Sequence, residues 1–290
     1  IIRVGEDYYL AGTTMHSVPG LVVLHSRDLV NWEFSSYCFD RFDDSDDFNL
    51  RNGKEAYGQG IWAPAIRYHN GKFYIFSNIN GHGLQVYISD SAKGPWTHHK
   101  VNGDIYDLSV LFDEDGKIYA VHKYGNVTVT ELKPDLSGPV EGSSKVVIPE
   151  GNAMGEGHHV YKINDMYYIL SADYSPMGRM QCARSKSIWG PYETCVISER
   201  ESYGYAAGWS VGNMGIGRPL PEDGFSFQNN KPNGLNLGCA TIHQGGIVQA
   251  PDGKWWGVSM QDFNAVGRTV CLSPITWVDG WPYFGLEKNL

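Results

Sequence analysis

A single carboxylate, Glu156, sits between two glycines in Met154-Gly155-Glu156-Gly157-His158-His159, just ahead of the apolar run Val160-Tyr161. Glycine admits backbone dihedrals and close approaches that other residues resist. Carboxylates are seldom buried without a partner. An acid delivered to the mouth of an apolar strand therefore fits a proton donor kept protonated by partial burial or a neighbouring like charge. It also fits a strand-end turn whose Glu faces water. Three other places carry comparable chemistry at the head of a strand: Trp62 before Ala63-Pro64, Asp107 before Leu108-Ser109, and His243 before Gln244-Gly245-Gly246. An aromatic wall, two carboxylates and an imidazole suit acid–base work on a neutral, hydroxylated substrate.

The elements that must position these residues recur. A hairpin of apolar strand, Asn/Asp/Gly turn and aromatic strand is read at Ile2–Leu10, Ile66–Ile75, Val110–Tyr119, Val160–Ile169 and Ile247–Trp256. Each is followed by a third strand-like run, beginning at Leu21, Gln85, Val127, Met180 and Thr269. A turn and an outer strand then follow, with Gly94-Pro95-Trp96 and Gly190-Pro191-Tyr192 marking two of the turns. Four strands per unit make a propeller blade. The expected fold is all-β, a five-bladed β-propeller forming one domain over residues 1–290. In such a fold the inner strand of each blade lines the axis, so the residues heading the first strands converge. Two long intervals, about Ser35 to Gly60 and Glu199 to Ala240, are rich in Gly, Asn, Asp and Pro and read as loops.

Composition narrows the partners. The formal charge is -9, with 32 Asp and Glu against 23 Lys and Arg. No basic cluster offers a footprint for nucleic acid or an anionic membrane surface, so neither is expected as a partner. No apolar run is long enough to span a bilayer. Aromatic residues reach 13%, with 18 Tyr and 9 Trp, which is compatible with sugar stacking. The five cysteines are scattered without a CxxC pair and read mostly as buried free thiols. Asn126-Val127-Thr128 matches a glycosylation sequon but falls on an expected strand. No secretory leader is visible, and because the chain opens at Ile1 rather than Met, that leaves the compartment undecided. Oligomeric state is likewise not readable.

Taken together, Trp62-Ala63-Pro64-Ala65-Ile66-Arg67, Asp107 to Asp113, Glu156 to Lys162, His243-Gln244-Gly245-Gly246 and Gly267-Arg268 resemble glycoside hydrolase family 43 along essentially the whole chain. The resemblance implies a glycosidase that inverts the anomeric centre. It favours exo-acting release of terminal xylose or arabinose from hemicellulose oligosaccharides, a β-xylosidase or α-L-arabinofuranosidase. Glu156 would be the general acid and Asp107 the carboxylate that tunes and orients it. His243, Arg268, Trp62 and His158 would contact the sugar. No cofactor is required, although the resemblance also suggests a calcium ion near His243, held largely through water. The family's base is an Asp just before the first hairpin. This chain begins at Ile1, inside the first expected strand, so the base is expected upstream of it. Asp40, Asp43 and Asp44 are substitutes. The readings left open are a non-catalytic carbohydrate-binding propeller and another five-bladed glycosidase, an arabinanase or a fructan-acting enzyme.

Overall fold

A computed structural model of the protein describes residues 1–42, 45–103, 105–152, 154–174, 177–198, 243–262 and 268–285. Within them the regular structure is entirely β, in five antiparallel sheets of four strands, each built from consecutive strands. The first sheet contains β1 (Ile2–Val4), β2 (Asp7–Gly12), β3 (Gly20–Ser26) and β4 (Trp32–Phe39). The second contains β5 (Ala65–His69), β6 (Lys72–Ile79), β7 (Gly83–Ser89) and β8 (Thr97–Val101). The third contains β9 (Ser109–Phe112), β10 (Ile118–His122), β11 (Val127–Leu132) and β12 (Lys145–Ile148). The fourth contains β13 (Glu156–Ile163), β14 (Met166–Tyr174), β15 (Met177–Ser185) and β16 (Glu193–Val196). The fifth contains β17 (His243–Gln249), β18 (Trp255–Asp262), β19 (Arg268–Val278) and β20 (Trp281–Phe284).

Turn chemistry sets the hairpins. Asn70 and Gly71 both have positive φ, 46° and 80°, and join β5 to β6 with His69 opposite Lys72. Asn164 and Asp165, at 48° and 62°, join β13 to β14 with Ile163 opposite Met166. Two left-handed residues in a two-residue loop give the twist that matches the flanking strands. Because side chains alternate faces along a strand, fixing the turn fixes which residues enter the core.

The chain divides into two compact units. The first, Ile1–Tyr124 with Thr128–Val146, carries the first two sheets and most of the third. Its core joins Leu21, Val23, Ile61, Ile66, Ile75 and Tyr87 in one cluster. Phe76, Leu84, Val86, Val110, Ala120 and Leu132 form a second. The other unit, Gly125–Val127 with Val147–Leu290, carries the last two sheets, packed through Leu170, Met180, Cys182, Ile247, Ile275 and Phe284. Burying one such aliphatic or aromatic side chain stabilises by about 1.5–3 kcal/mol.

One element differs from the sequence expectation. The interval beginning at Ser35 is not loop at its start, because β4 runs on to Phe39. Its polar Ser-Ser-Tyr stretch holds strand geometry by pairing Val23 with Ser36 and Val22 with Tyr37. Ser36 also donates to the Ala92 carbonyl at 2.7 Å and accepts from the Trp96 indole at 3.0 Å. The interval from Glu199 to Ala240 lies outside the described residues. Cys38 and Cys182 are buried thiols and Cys195 and Cys271 partly buried ones, none of the four in a disulfide; Cys239 lies outside the described residues. Burial pushes the Cys182 thiol well above its usual range, which suits packing rather than nucleophilic work. Val127 and Thr128 of the sequon lie on β11 and are buried.

Candidate active site

In the second unit, Glu156 is the first residue of β13 and is half-buried. Its Cα partner on β14 is Ala172, but His159 pairs with Leu170, so the register slips between them. That slip is a β-bulge, which bends a strand and re-aims its side chains. Gly157 inside the bulge has φ +66°. The Ser171 hydroxyl donates to the Glu156 carbonyl at 3.1 Å and ties the bulge to β14.

A second bulge lies at the head of β17, where His243 pairs with Met260 but Gly246 pairs with Val258. Gln244 within it has φ +50°. The two irregular strand heads touch. Gln244 Nε2 donates to Glu156 Oε1 at 3.3 Å. A Cβ at Gly157 would lie 2.3 Å from Gln244 Cγ, so only glycine leaves room for this side chain. One step along, a Cβ at Gly246 would lie 2.6 Å from the Tyr161 hydroxyl and 2.9 Å from His159 Nδ1. The Ile247 N–H donates to that same hydroxyl at 2.9 Å. Glycines at these contacts let β17 lie close against β13, and Tyr161 fastens it.

His158 is 3% exposed and belongs to the packed interior, whereas His159 is half-buried and lies parallel to the Tyr161 ring. His243 opens β17 beside Gln244, and Arg268 opens β19 opposite Asp262. The side chains of His243 and Arg268 lie outside the described part. Among the described residues, no group of three His, Cys, Asp or Glu side chains could hold a metal ion.

Trp62 and Asp107 belong to the first unit. Trp62 is 41% exposed, with its indole N–H donated to Asn80 Oδ1 at 2.6 Å. The same oxygen accepts the Gly60 N–H at 2.9 Å, so Asn80 fixes both the ring and the loop that presents it. Trp62 N–H donates to the Asn78 carbonyl, and the Asn78 side-chain amide donates to the Ile105 carbonyl at 3.0 Å. Asn78 thereby connects the Trp62 loop to the segment holding Asp107. Asp107 is half-buried in the left-handed region, φ 51°, between exposed Tyr106 and buried Leu108. Arg67 braces the strand that follows, donating to the Val110 carbonyl and to Ser109 Oγ. Asp40 is exposed, and Asp43 and Asp44 lie outside the described residues.

The family model "Glycosyl hydrolases family 43" matches residues 1–205. This chain belongs to glycoside hydrolase family 43. A non-reducing end alpha-L-arabinofuranosidase of Bacteroides ovatus is 34% identical, over 99% of this chain and 51% of its own. A beta-xylosidase of Formosa agariphila is 28% identical, over 100% of this chain and 49% of its own. Among solved structures, a bifunctional GH43-CE protein of Bacteroides eggerthii has a TM-score of 0.81 at 33% identity, covering 99% of this chain and 34% of that one. The family 43 chain thus spans about half the length of these two curated relatives. Its five successive four-stranded sheets are the blades of the five-bladed β-propeller expected from sequence.

Sequence reasoning gave roles to His243 and Trp62 but none to their neighbours Gln244, Asn78 and Asn80. The available signal was position: Gln244 stands inside a quoted strand-head motif, and Asn78 and Asn80 flank the end of β6.

Proposed function

We propose that this chain is an inverting, exo-acting glycoside hydrolase that releases terminal xylose or arabinose from hemicellulose oligosaccharides. The observation that carries the reading is Glu156: a half-buried carboxylate, alone between two glycines, set on a bulge and held by a neighbouring strand's amide. The activities named for the two relatives support the substrate class.

In this reading the Glu156 O–H bond breaks and its proton goes to the glycosidic oxygen as the C1–O bond breaks. Water attacks C1 from the opposite face and gives its proton to a base carboxylate roughly 6.5–9.5 Å from the acid. The configuration at C1 inverts. By the family resemblance that base is an Asp. By the family resemblance Asp107 is the carboxylate that tunes the acid. Trp62 offers an exposed face for the sugar ring, and His243 and Arg268 position its hydroxyls.

The test uses the full-length protein. Aryl β-D-xyloside and α-L-arabinofuranoside are offered, and proton NMR follows the first minutes of hydrolysis. An anomer opposite to the substrate's is expected; a retained anomer overturns inversion. Sugar binding by calorimetry with no release of reducing sugar would instead favour the carbohydrate-binding reading.

Asn80→Ala should leave the Trp62 indole without its acceptor. KM is expected to rise a few-fold with kcat within about twofold, since a neutral hydrogen bond contributes about 1 kcal/mol. An unchanged KM would remove Trp62 from the binding surface.

A further inference from the structure

Gln244 Nε2 donates to Glu156 Oε1 at 3.3 Å. Its place is held from several sides. The left-handed backbone of Gln244 aims it, the missing side chain at Gly157 makes room for it, and the Tyr161 hydroxyl fixes its strand through the Ile247 N–H. We propose that Gln244 is a positioning residue for proton transfer: its amide holds Oε1 of the acid and grips it more tightly as the proton leaves. This rests on the reading of Glu156 as the acid.

The chemistry has a direction. An N–H pointed at one carboxyl oxygen disfavours an O–H on that oxygen. As the proton departs, negative charge spreads over both oxygens and the bond from Gln244 becomes charge-assisted, hence stronger. An interaction that tightens along the reaction lowers the barrier rather than merely aiding binding. It also favours the ionised acid, so removing it should raise the proton affinity of Glu156.

Titratable and charged residues also stand on the packed strands. Opposite Glu156 in the sheet lie Ala172 and then Met180, neither of which titrates. The first strand adds His158, His159, Tyr161 and Lys162; the second adds Tyr167, Tyr168, Asp173 and Tyr174. The third adds Arg179, Cys182 and Arg184, and the fifth sheet's first strand adds His243. None of these changes in the variants below, so they provide a common background.

The experiment compares wild type with Gln244→Met and Gln244→Glu, and with Glu156→Ala. Carbon-13 NMR of labelled glutamate carboxyls, with Glu156→Gln identifying the resonance, follows the titration of Glu156 without any need for turnover. Gln244→Met should move that titration upward by about half to one pH unit, and Gln244→Glu by more, because a second carboxylate then faces the first. The alkaline limb of kcat should move the same way. At the pH optimum Gln244→Met should lose about tenfold in kcat with KM within twofold, and lose most on poor leaving groups. Gln244→Asn, whose side chain suits a left-handed backbone but is one methylene shorter, gives the same test if the methionine variant does not fold. Should Glu156→Ala show the acid's leaving-group signature while the Gln244 variants leave the titration and the alkaline limb unmoved, the positioning role falls alone. Should Glu156→Ala lack that signature, the acid reading falls, and the positioning role with it.

Discussion

Glu156→Ala should lower kcat on a xyloside with a poor leaving group by about 10²–10⁴-fold, the usual contribution of a general acid. The same variant should lose less than about tenfold on a dinitrophenyl glycoside, whose leaving group departs without a proton. KM should not rise, because the missing interaction operates in the transition state. The alkaline limb of the pH profile should vanish on the activated substrate. A group that merely supports the fold would depress both substrates equally, so equal losses would remove Glu156 from the chemistry. Thermal unfolding should change little, since Glu156 is half-buried at the open end of its strand and not within the apolar cluster of its unit.

Gly157→Ala carries the other large effect. At φ +66° an added Cβ costs about 1–2 kcal/mol in backbone strain. That Cβ would also lie 2.3 Å from Gln244 Cγ and 2.8 Å from its Cβ, so one of the two strand heads must move. Displacing the acid by about 1 Å can cost on the order of 10² in rate. The expected result is a kcat near 1% of wild type with a melting temperature several degrees lower. Truncating the obstacle in the double variant Gly157→Ala, Gln244→Ala should restore part of the stability and little of the rate. Strict additivity of the two changes would show that Gly157 and Gln244 do not meet.

These two predictions stand on contacts of different legibility. The hairpins are local objects. Asn70-Gly71 and Asn164-Asp165 declare their turns through their own dihedral preferences, and the apolar–aromatic alternation on either side needs no distant partner. That is why the five repeats could be placed from residue types. The later stretch of β4 was not legible, because Ser36 holds strand geometry by pairing with β3, and Ser35 and Ser36 both donate to the Ala92 carbonyl, 57 and 56 residues away. Polar residues of weak strand preference are overruled when a neighbouring strand presents its unpaired backbone.

By itself the sequence determined the all-β class, the number of four-stranded units, and that Glu156, Asp107, Trp62 and His243 each stand at or just before the head of a first strand. Those are consequences of turn residues and period-two patterning, which act over a few positions. Only the tertiary structure decided that His158 is interior while Glu156 is half-exposed, that both strand heads are bulged, and that Gln244 reaches across 88 residues to one oxygen of the acid. A bulge changes which way a side chain faces without altering the sequence pattern that announces the strand. A hydrogen bond between sheets exists only once packing has brought their edges together.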